Sequence, residues 1–234
     1  MRSVADIEEH AVGAWPATHA ERADGWLLRH TPGVGKRRNN SALPPPGAAG
    51  GIDAAERFYR ERGMPVIVQV SPAEEHEALD GVLAARGYRY EAPTLVLTAA
   101  PGEVMRPVPE VTISTGLTSG WRSAYGNDAV SEHVLDRIAP ATGFASIVVD
   151  GSIAALGLFV VDGGIGGVFC MATDPRHRRR GLAEAILRAG AAWSAERGAE
   201  LLYLQVEGEN AAARQLYAKV GFQHSHSYHY RVFR

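Results

Sequence analysis

The chain has a single cysteine, Cys170, in 234 residues, which excludes an internal disulfide. It has no apolar run near the roughly 20 residues of a membrane-spanning helix, and its first residues, MRSVADIEEHAVGAW, lack the long apolar stretch of an export signal. It also lacks a basic excess: 24 Lys and Arg stand against 26 Asp and Glu, and a net charge of −2 argues against general nucleic-acid binding. We therefore expect a cytoplasmic protein with neither a membrane nor a nucleic-acid partner.

The remaining composition is that of an ordinary globular protein. Apolar residues make up 46% and charged residues 21% of the chain, enough for one large hydrophobic core or two small ones. Two segments rich in proline and glycine interrupt it, the loop LPPPGAAGG and a break from Ala99 to Glu110. The second break predicts one domain at residues 1–104 and another at residues 105–234.

The first half predicts helices that alternate with strands. A helix around Ile52 to Gly63 is followed by the strand VIVQV, a helix over EEHEALDGVLAARGY and the strand PTLVLT. Before these elements, WLLRH and KRRNNSA could pair as a hairpin.

The second half continues the alternation. From Val111 we predict a strand, a helical region to about Arg137, and a hairpin of FASIVVD and SIAALGLFVV around Gly151. The strand GVFCMAT, a helix from Gly181, the strand LLYLQV, a helix from Ala211 and a closing strand through Tyr230 follow. Strands and helices mixed in this way predict an α/β or α+β fold with a central mixed sheet.

Two helices of this half carry clear start and stop signals. The first is predicted to end at Gly198 and to bury a face made of Leu182, Ala185, Ile186, Ala189 and Trp193. The second is predicted to begin at Asn210, a good N-cap, and to stop at Gly221. Its predicted buried face consists of Ala213, Leu216, Tyr217 and Val220.

A loop with four arginines in five positions precedes the first of these helices, within Asp174 to Ala183. The amide hydrogens of a helix's first turn have no partner inside the helix, and Gly181 lets a ligand approach the backbone closely. The loop therefore predicts an anion site. A solvated basic turn or a nucleic-acid patch is the alternative interpretation of the loop alone.

Two motifs of this half resemble those of the GNAT superfamily of N-acyltransferases. Arg178-x-x-Gly181-x-Ala183 matches the R/Q-x-x-G-x-G/A loop, and the segment from Asn210 to Phe222 matches N-x-x-A-x-x-L-Y-x-x-x-G-F. The resemblance covers roughly residues 105–234 and implies a GNAT fold there. It also implies transfer of an acetyl group from acetyl-CoA, as co-substrate, to a primary amine by direct attack in a ternary complex.

The resemblance implies a donor site as well. The strand GVFCMAT should separate from LLYLQV so that the pantetheine arm lies between them, and the arginine loop should hold the diphosphate. The residues implied are Met171, Ala172, Thr173, Arg178, Arg179, Arg180, Gly181, Leu182, Ala183, Asn210 and Tyr217. For Asn210, an N-cap role explains the residue equally well.

Tyr217 occupies the family position whose hydroxyl faces the CoA sulfur, which implies a general acid. A core aromatic is the alternative. Where the ribosomal-protein alanine acetyltransferases of the superfamily have a glutamate, this chain has Gln205, which cannot accept a proton at neutral pH. Glu207 lies on the same predicted strand face and is our first candidate for the base, with Glu209 a weaker one. An exposed glutamate at a strand end is the alternative for Glu207.

The closing segment contains three histidines, His224, His226 and His229, of which the first two share a strand face. One of them could serve as a base. Two histidines on one face without a nearby carboxylate or thiolate make a poor ligand set, so we expect no metal. Cys170, in an apolar strand, is predicted to be a small buried hydrophobe and not a nucleophile.

The first half contains two segments that weakly resemble the helix, turn and strand that close a GNAT domain, but it has no R-x-x-G-x-G/A loop. It therefore looks like a degenerate GNAT-like domain in a tandem arrangement, with an unrelated substrate-recognition domain as the alternative. We expect a monomer or homodimer that acetylates a small-molecule amine. A protein or peptide acceptor, and a CoA-binding regulatory module without turnover, are the competing hypotheses.

Overall fold

The computed structural model describes residues 2–108 and 110–234. Contacts within the chain divide it into two compact units. The larger unit consists of the described residues up to Trp15, Leu97–Val206 and Asn210–His224, and the smaller unit of Pro16–Val96, Glu207–Glu209 and Ser225–Arg234. The division into domains at residues 1–104 and 105–234 stays a prediction.

The larger unit holds most of the helices. Those of one turn or more are α1 (Val4–Ala14), α4 (Pro101–Val104), α5 (Ser119–Tyr125), α6 (Asp128–His133), α7 (Leu182–Ala195) and α8 (Ala211–Lys219). Its strands are β6 (Thr112–Ser114), β7 (Ala141–Val149), β8 (Ser152–Asp162), β9 (Ile165–Thr173) and most of β10 (Leu201–Glu207).

The sheet of the larger unit has the order β10-β9-β8-β7-β6. Its pairs are antiparallel except for β9 and β10, which run parallel. Asp150 and Gly151 both have positive φ angles, 51° and 75°, and therefore form the tight turn between β7 and β8. Helix α7 packs on β7, β8 and β9, while α1 packs on β8 and β9. The predicted mixed α/β class is confirmed.

The smaller unit contains the helices α2 (Asp53–Glu61) and α3 (Glu77–Ala85). Its strands are β1 (His19–Ala23), β2 (Trp26–His30), β3 (Ala42–Leu43), β4 (Val66–Val70) and most of β5 (Arg89–Ala99) and β11 (Gln223–Phe233). Five of these strands have the order β1-β2-β3-β4-β11. Aromatic and aliphatic side chains form the core, including Trp26, Phe58, Tyr59, Val68, Leu79 and Leu83.

Most predicted elements form, but the prediction that WLLRH and KRRNNSA pair as a hairpin is wrong in part. Strand β2 pairs with β1, whose sequence HAERA is polar and exposed. The segment KRRNNSA contains a 3-10 turn at Arg37–Asn39, and only its last residue enters β3, where Ala42 pairs with Leu28. Helix α1 was not predicted, although Ser3 and Asp6 form a capping box at its start.

The predicted buried face of α7 needs a correction. Ile186 and Trp193 are buried as predicted, but Leu182, Ala185 and Ala189 are only half-buried. Gly190 is buried instead, because the Phe159 ring fills the space where a side chain at position 190 would lie. A pattern of large apolar residues cannot detect a glycine used for close packing. In the residues that the structure describes, no helix has the length and apolarity to span a membrane.

Candidate active site

Strand β9 carries a bulge before its end. Leu158 pairs with Phe169 and Leu156 with Ala172, so Cys170 and Met171 together oppose Gly157. Cys170 has a φ of 52°, in the left-handed region that side chains adopt rarely. Such a bulge bends the strand and re-aims its residues, and strained backbone of this kind is frequent at functional sites.

Gly157 makes room for this bulge. A Cβ atom at position 157 would lie 2.7 Å from both Met171 Sδ and Ile186 Cγ2, closer than side chains can approach. The half-buried Met171 side chain therefore fills the space beside Gly157. No local sequence signal predicts this arrangement, because it depends on two residues of one strand opposing one residue of the next.

The parallel pairing of β9 with β10 is short. It runs from Ile165 and Leu201 to Val168 and Leu204, and within the described part of the chain no later pair joins these strands. Met171, Ala172 and Thr173 lie beyond the last pair, on the segment that the family resemblance assigns to the pantetheine arm. Two strands that separate toward one end would show such a short pairing.

The loop after β9 is held by Asp174. Its carboxylate accepts hydrogen bonds from the Arg176 backbone amide (2.9 Å), Nε (3.1 Å) and a terminal guanidinium nitrogen (2.7 Å). The Arg176 side chain first, and then its amide, hold the pKa of Asp174 well below its ordinary value. Asp174 is thus hydrogen-bonded to Arg176, one of the four arginines of the loop.

The other three arginines of the loop are exposed. In the described residues none of them has an ion-pair partner: Arg178 Nε lies 3.5 Å from the Thr173 carbonyl oxygen, and Arg180 lies 3.4 Å from His177 Nδ1. Arg179 has a φ of 63°, and this turns the backbone just before the helix. Three guanidinium groups are therefore available to an anion.

Gly181 is the N-cap of α7, with a φ of 80° and no side-chain hydrogen bond to cap the helix. It is exposed, and apart from its chain neighbours no described residue has an atom within 4 Å of the position that a Cβ would take. The first-turn amides, which include those of Leu182 and Ala183, therefore face an open approach. Loop and helix start together fit an anion such as a diphosphate, by the charge and geometry of their donors.

Helix α8 brings Asn210 and Tyr217 into the same unit. Asn210 Oδ1 accepts a hydrogen bond from the Ala213 amide at 3.1 Å, which confirms its role as N-cap. The Tyr217 ring is 8% exposed and meets the Phe222 ring edge to face at 6.1 Å. No described residue hydrogen-bonds its hydroxyl. Burial raises the pKa of Tyr217, so the phenol stays protonated at neutral pH.

Of the two candidate glutamate bases, Glu207 is exposed at the end of β10, and Glu209 is exposed in the turn that follows. Gln205, which cannot accept a proton, is half-buried on β10. Tyr203, two residues before Gln205 on β10, is fully buried, and its hydroxyl lies 3.0 Å from His10 Nδ1 of α1. Burial lowers the pKa of His10, so its ring is neutral at pH 7. The sequence did not suggest this contact between residues 193 positions apart.

The histidines of β11 are not equivalent. His224 is exposed, and His226 is buried. His229 is buried, with its Nε2 2.6 Å from an Asp80 oxygen that also accepts from Arg231 Nε. His229 therefore belongs to an ion-paired cluster of the smaller unit.

Comparison with known proteins finds a family and a relative that match nearly the whole chain or all of it. A family described as "Probable histone acetyltransferase Rv0428c C-terminal" matches residues 2–231. The Bacillus subtilis (strain 168) protein described as an uncharacterized N-acetyltransferase, YobR, is 29% identical over 251 aligned residues that cover 100% of both chains. A mycothiol acetyltransferase from Clavibacter sepedonicus is 36% identical over 97 residues, which are 42% of this chain and 31% of that protein.

Solved structures show the same fold. A GCN5-related N-acetyltransferase from Kribbella flavida superposes with a TM-score of 0.71 at 18% identity, over 99% of this chain and 95% of that one. A tandem GNAT protein from the clavulanic acid biosynthesis pathway gives a TM-score of 0.63 at 12% identity, over 95% and 86% of the two chains. The likeness extends over both halves of the chain. That the first half is a degenerate GNAT-like domain stays a prediction.

Proposed function

The chain belongs to the GNAT superfamily of N-acetyltransferases, and we propose that it moves an acetyl group from acetyl-CoA to the primary amine of a small molecule. One observation carries the proposal: an open, basic helix start at Gly181 and a buried phenol at Tyr217 occur in the same compact unit. The first suits the diphosphate of CoA, and the second suits proton transfer to a thiolate.

The geometry of β9, the arginine loop and α8 supports a donor site formed by these three elements. Three exposed guanidinium groups and the uncapped amides would hold the diphosphate, while the end of β9 would lie along the pantetheine arm. We assign to it Met171, Ala172, Thr173, Arg178, Arg179, Arg180, Gly181, Leu182, Ala183, Asn210 and Tyr217.

Acetyl-CoA would supply the thioester carbonyl and the thiol leaving group. In the transfer, the amine nitrogen bonds to the carbonyl carbon, the carbon–sulfur bond breaks, and the amine loses one proton while the sulfur gains one. Tyr217 is the donor to sulfur, because its hydroxyl is protonated and unpartnered within the described residues. Glu207, exposed at the end of β10, is the base, directly or through water, and Gln205 can hydrogen-bond the acceptor without taking its proton.

A protein amine is the second candidate acceptor, favoured by the matching family's description as a histone acetyltransferase. The partial likeness to mycothiol acetyltransferases favours a small molecule. A CoA-binding module without turnover is the third candidate, motivated by Gln205 where related enzymes have a glutamate.

Release of free thiol tests the proposal. The protein is incubated with acetyl-CoA and with panels of small amines and of lysine-containing peptides, and CoA formation is followed. We expect release that depends on a small amine. Release with peptides alone would establish the second candidate, and acetyl-CoA binding without acceptor-dependent release would establish the third.

A further inference from the structure

Helices α7 and α8 are joined by one carboxylate. Glu184, on the first turn of α7, accepts from Lys219 Nζ at 2.6 Å through one oxygen. Its other oxygen accepts from Arg188 Nε at 3.0 Å and from a terminal nitrogen of the same guanidinium at 2.8 Å. Arg188 also donates to the Val104 carbonyl oxygen at 3.0 Å, which extends the contact to α4. Glu184 and Arg188 together thus connect three helices of the larger unit.

The position of this network relates it to the donor site. Glu184 stands three residues after Gly181, and Lys219 stands two residues after Tyr217. The same ion pair therefore links the helix that presents the anion-binding amides to the helix that presents the phenol. Lys219 also lies in the last turn of α8, where a cation interacts favourably with the helix dipole.

We propose that Glu184 is a positioning residue that holds α8 on α7 and so fixes the Tyr217 hydroxyl relative to the loop at Gly181. The inference rests on the proposed function, because it concerns the placement of that reaction's acid. The Glu184 side chain touches neither the donor nor the acceptor, and it acts only through Tyr217.

The surroundings of the Glu184 carboxylate support a structural role and not that of a solvated surface charge. Its side chain is 20% exposed, as against 67% for Lys219, so it is the sheltered member of the pair. Lys219 first, and then Arg188, hold the pKa of Glu184 below its ordinary value, so the carboxylate stays charged across neutral pH. Because Lys219 is exposed, the link is weak, and we expect effects of several-fold.

A double-mutant cycle separates positioning from general stability. Glu184→Gln keeps the volume of the side chain and removes its charge. We expect kcat to fall about five-fold while the KM for acetyl-CoA changes less than two-fold, and we expect no further fall when Tyr217→Phe is already present. Lys219→Met should reproduce the loss, and Lys219→Arg should preserve activity. An equal loss in the Tyr217→Phe background, or an unchanged kcat in Glu184→Gln, would overturn the proposal.

The matched control is another ion pair of the same unit, in which Arg122 donates to Asp136 at 2.8 Å. Asp136→Asn removes an exposed carboxylate from that pair, and we expect it to leave kcat unchanged. A fall equal to that of Glu184→Gln would mean that any lost ion pair slows the enzyme, which would overturn the proposal.

Hydrogen exchange gives a readout that does not need turnover. Glu184→Gln should speed amide exchange in residues 211–219, and Asp136→Asn should not. Unchanged protection of α8 overturns the inference even if the enzyme is active. If the wild-type protein releases no CoA while α8 loses protection, the proposed function fails and the link between the helices stands.

Discussion

At the scale of single residues, the Tyr217 hydroxyl makes the sharpest prediction. Tyr217→Phe removes one oxygen from a buried ring that packs on Phe222, so the fold and the donor affinity should persist. We expect kcat to fall on the order of 10²-fold, a common contribution of a general acid. Steady-state kinetics and calorimetric titration with acetyl-CoA measure the two quantities. An unchanged kcat would remove Tyr217 as the acid.

The pH profile offers a further check on the same residue. Burial raises the pKa of Tyr217, so its proton is lost only above the ordinary phenol value of about 10. Turnover should therefore show no decline from Tyr217 between neutral pH and that value. A decline near pH 8 that vanished in Tyr217→Phe would contradict this assignment.

Gly181 tests the anion site. With a φ of 80° and an exposed position, Gly181→Val would strain the backbone by about 1–2 kcal/mol and would push a branched side chain toward the ligand. We expect acetyl-CoA binding to be lost. Gly198→Val is the control, because Gly198 has a φ of 83° at the other end of α7 and equally open space. If both variants bind acetyl-CoA alike, the loop is not the diphosphate site.

At the scale of elements, α8 depends on its N-cap. Asn210→Ala removes the acceptor for the Ala213 amide and should lower the free energy of unfolding by about 1 kcal/mol, measured by urea denaturation. Asn210→Asp keeps an acceptor and should restore that stability. If Asn210→Asp is stable but binds acetyl-CoA poorly, the side-chain amide has a second role toward the ligand. If Asn210→Ala is as stable as the wild type, the prediction that Asn210 stabilises α8 as its N-cap is contradicted.

At the scale of the whole molecule, helix α1 packs in the larger unit, which also contains the proposed donor site far along the sequence. Ile7, Ala14 and Trp15 are buried, and Trp15 stacks on Phe169 of β9. Ile7→Ala should therefore destabilise the larger unit by about 2–5 kcal/mol. Denaturation followed by tryptophan fluorescence measures it, with the exposed Glu9→Ala as control. Equal midpoints for the two variants would mean that α1 does not stabilise this unit.

The sequence by itself determined the parts whose cause is local. Asn210 caps its helix, Gly181 and Gly198 bound α7, and the arginine loop precedes an uncapped helix start, because capping and left-handed backbone are properties of a few consecutive residues. Two motifs of this kind sufficed to place the chain in its superfamily. The identities of the base and of the acceptor stay predictions.

Only the tertiary structure decided the arrangements that join distant residues. The bulge at Cys170 exists through its pairing opposite Gly157, and the Glu184–Lys219 ion pair joins residues 35 positions apart. The contact of His10 with Tyr203 brings an unpredicted helix to a strand of the second half. Such contacts arise from strand pairing and helix docking, which depend on the whole chain, so no window of a few residues encodes them.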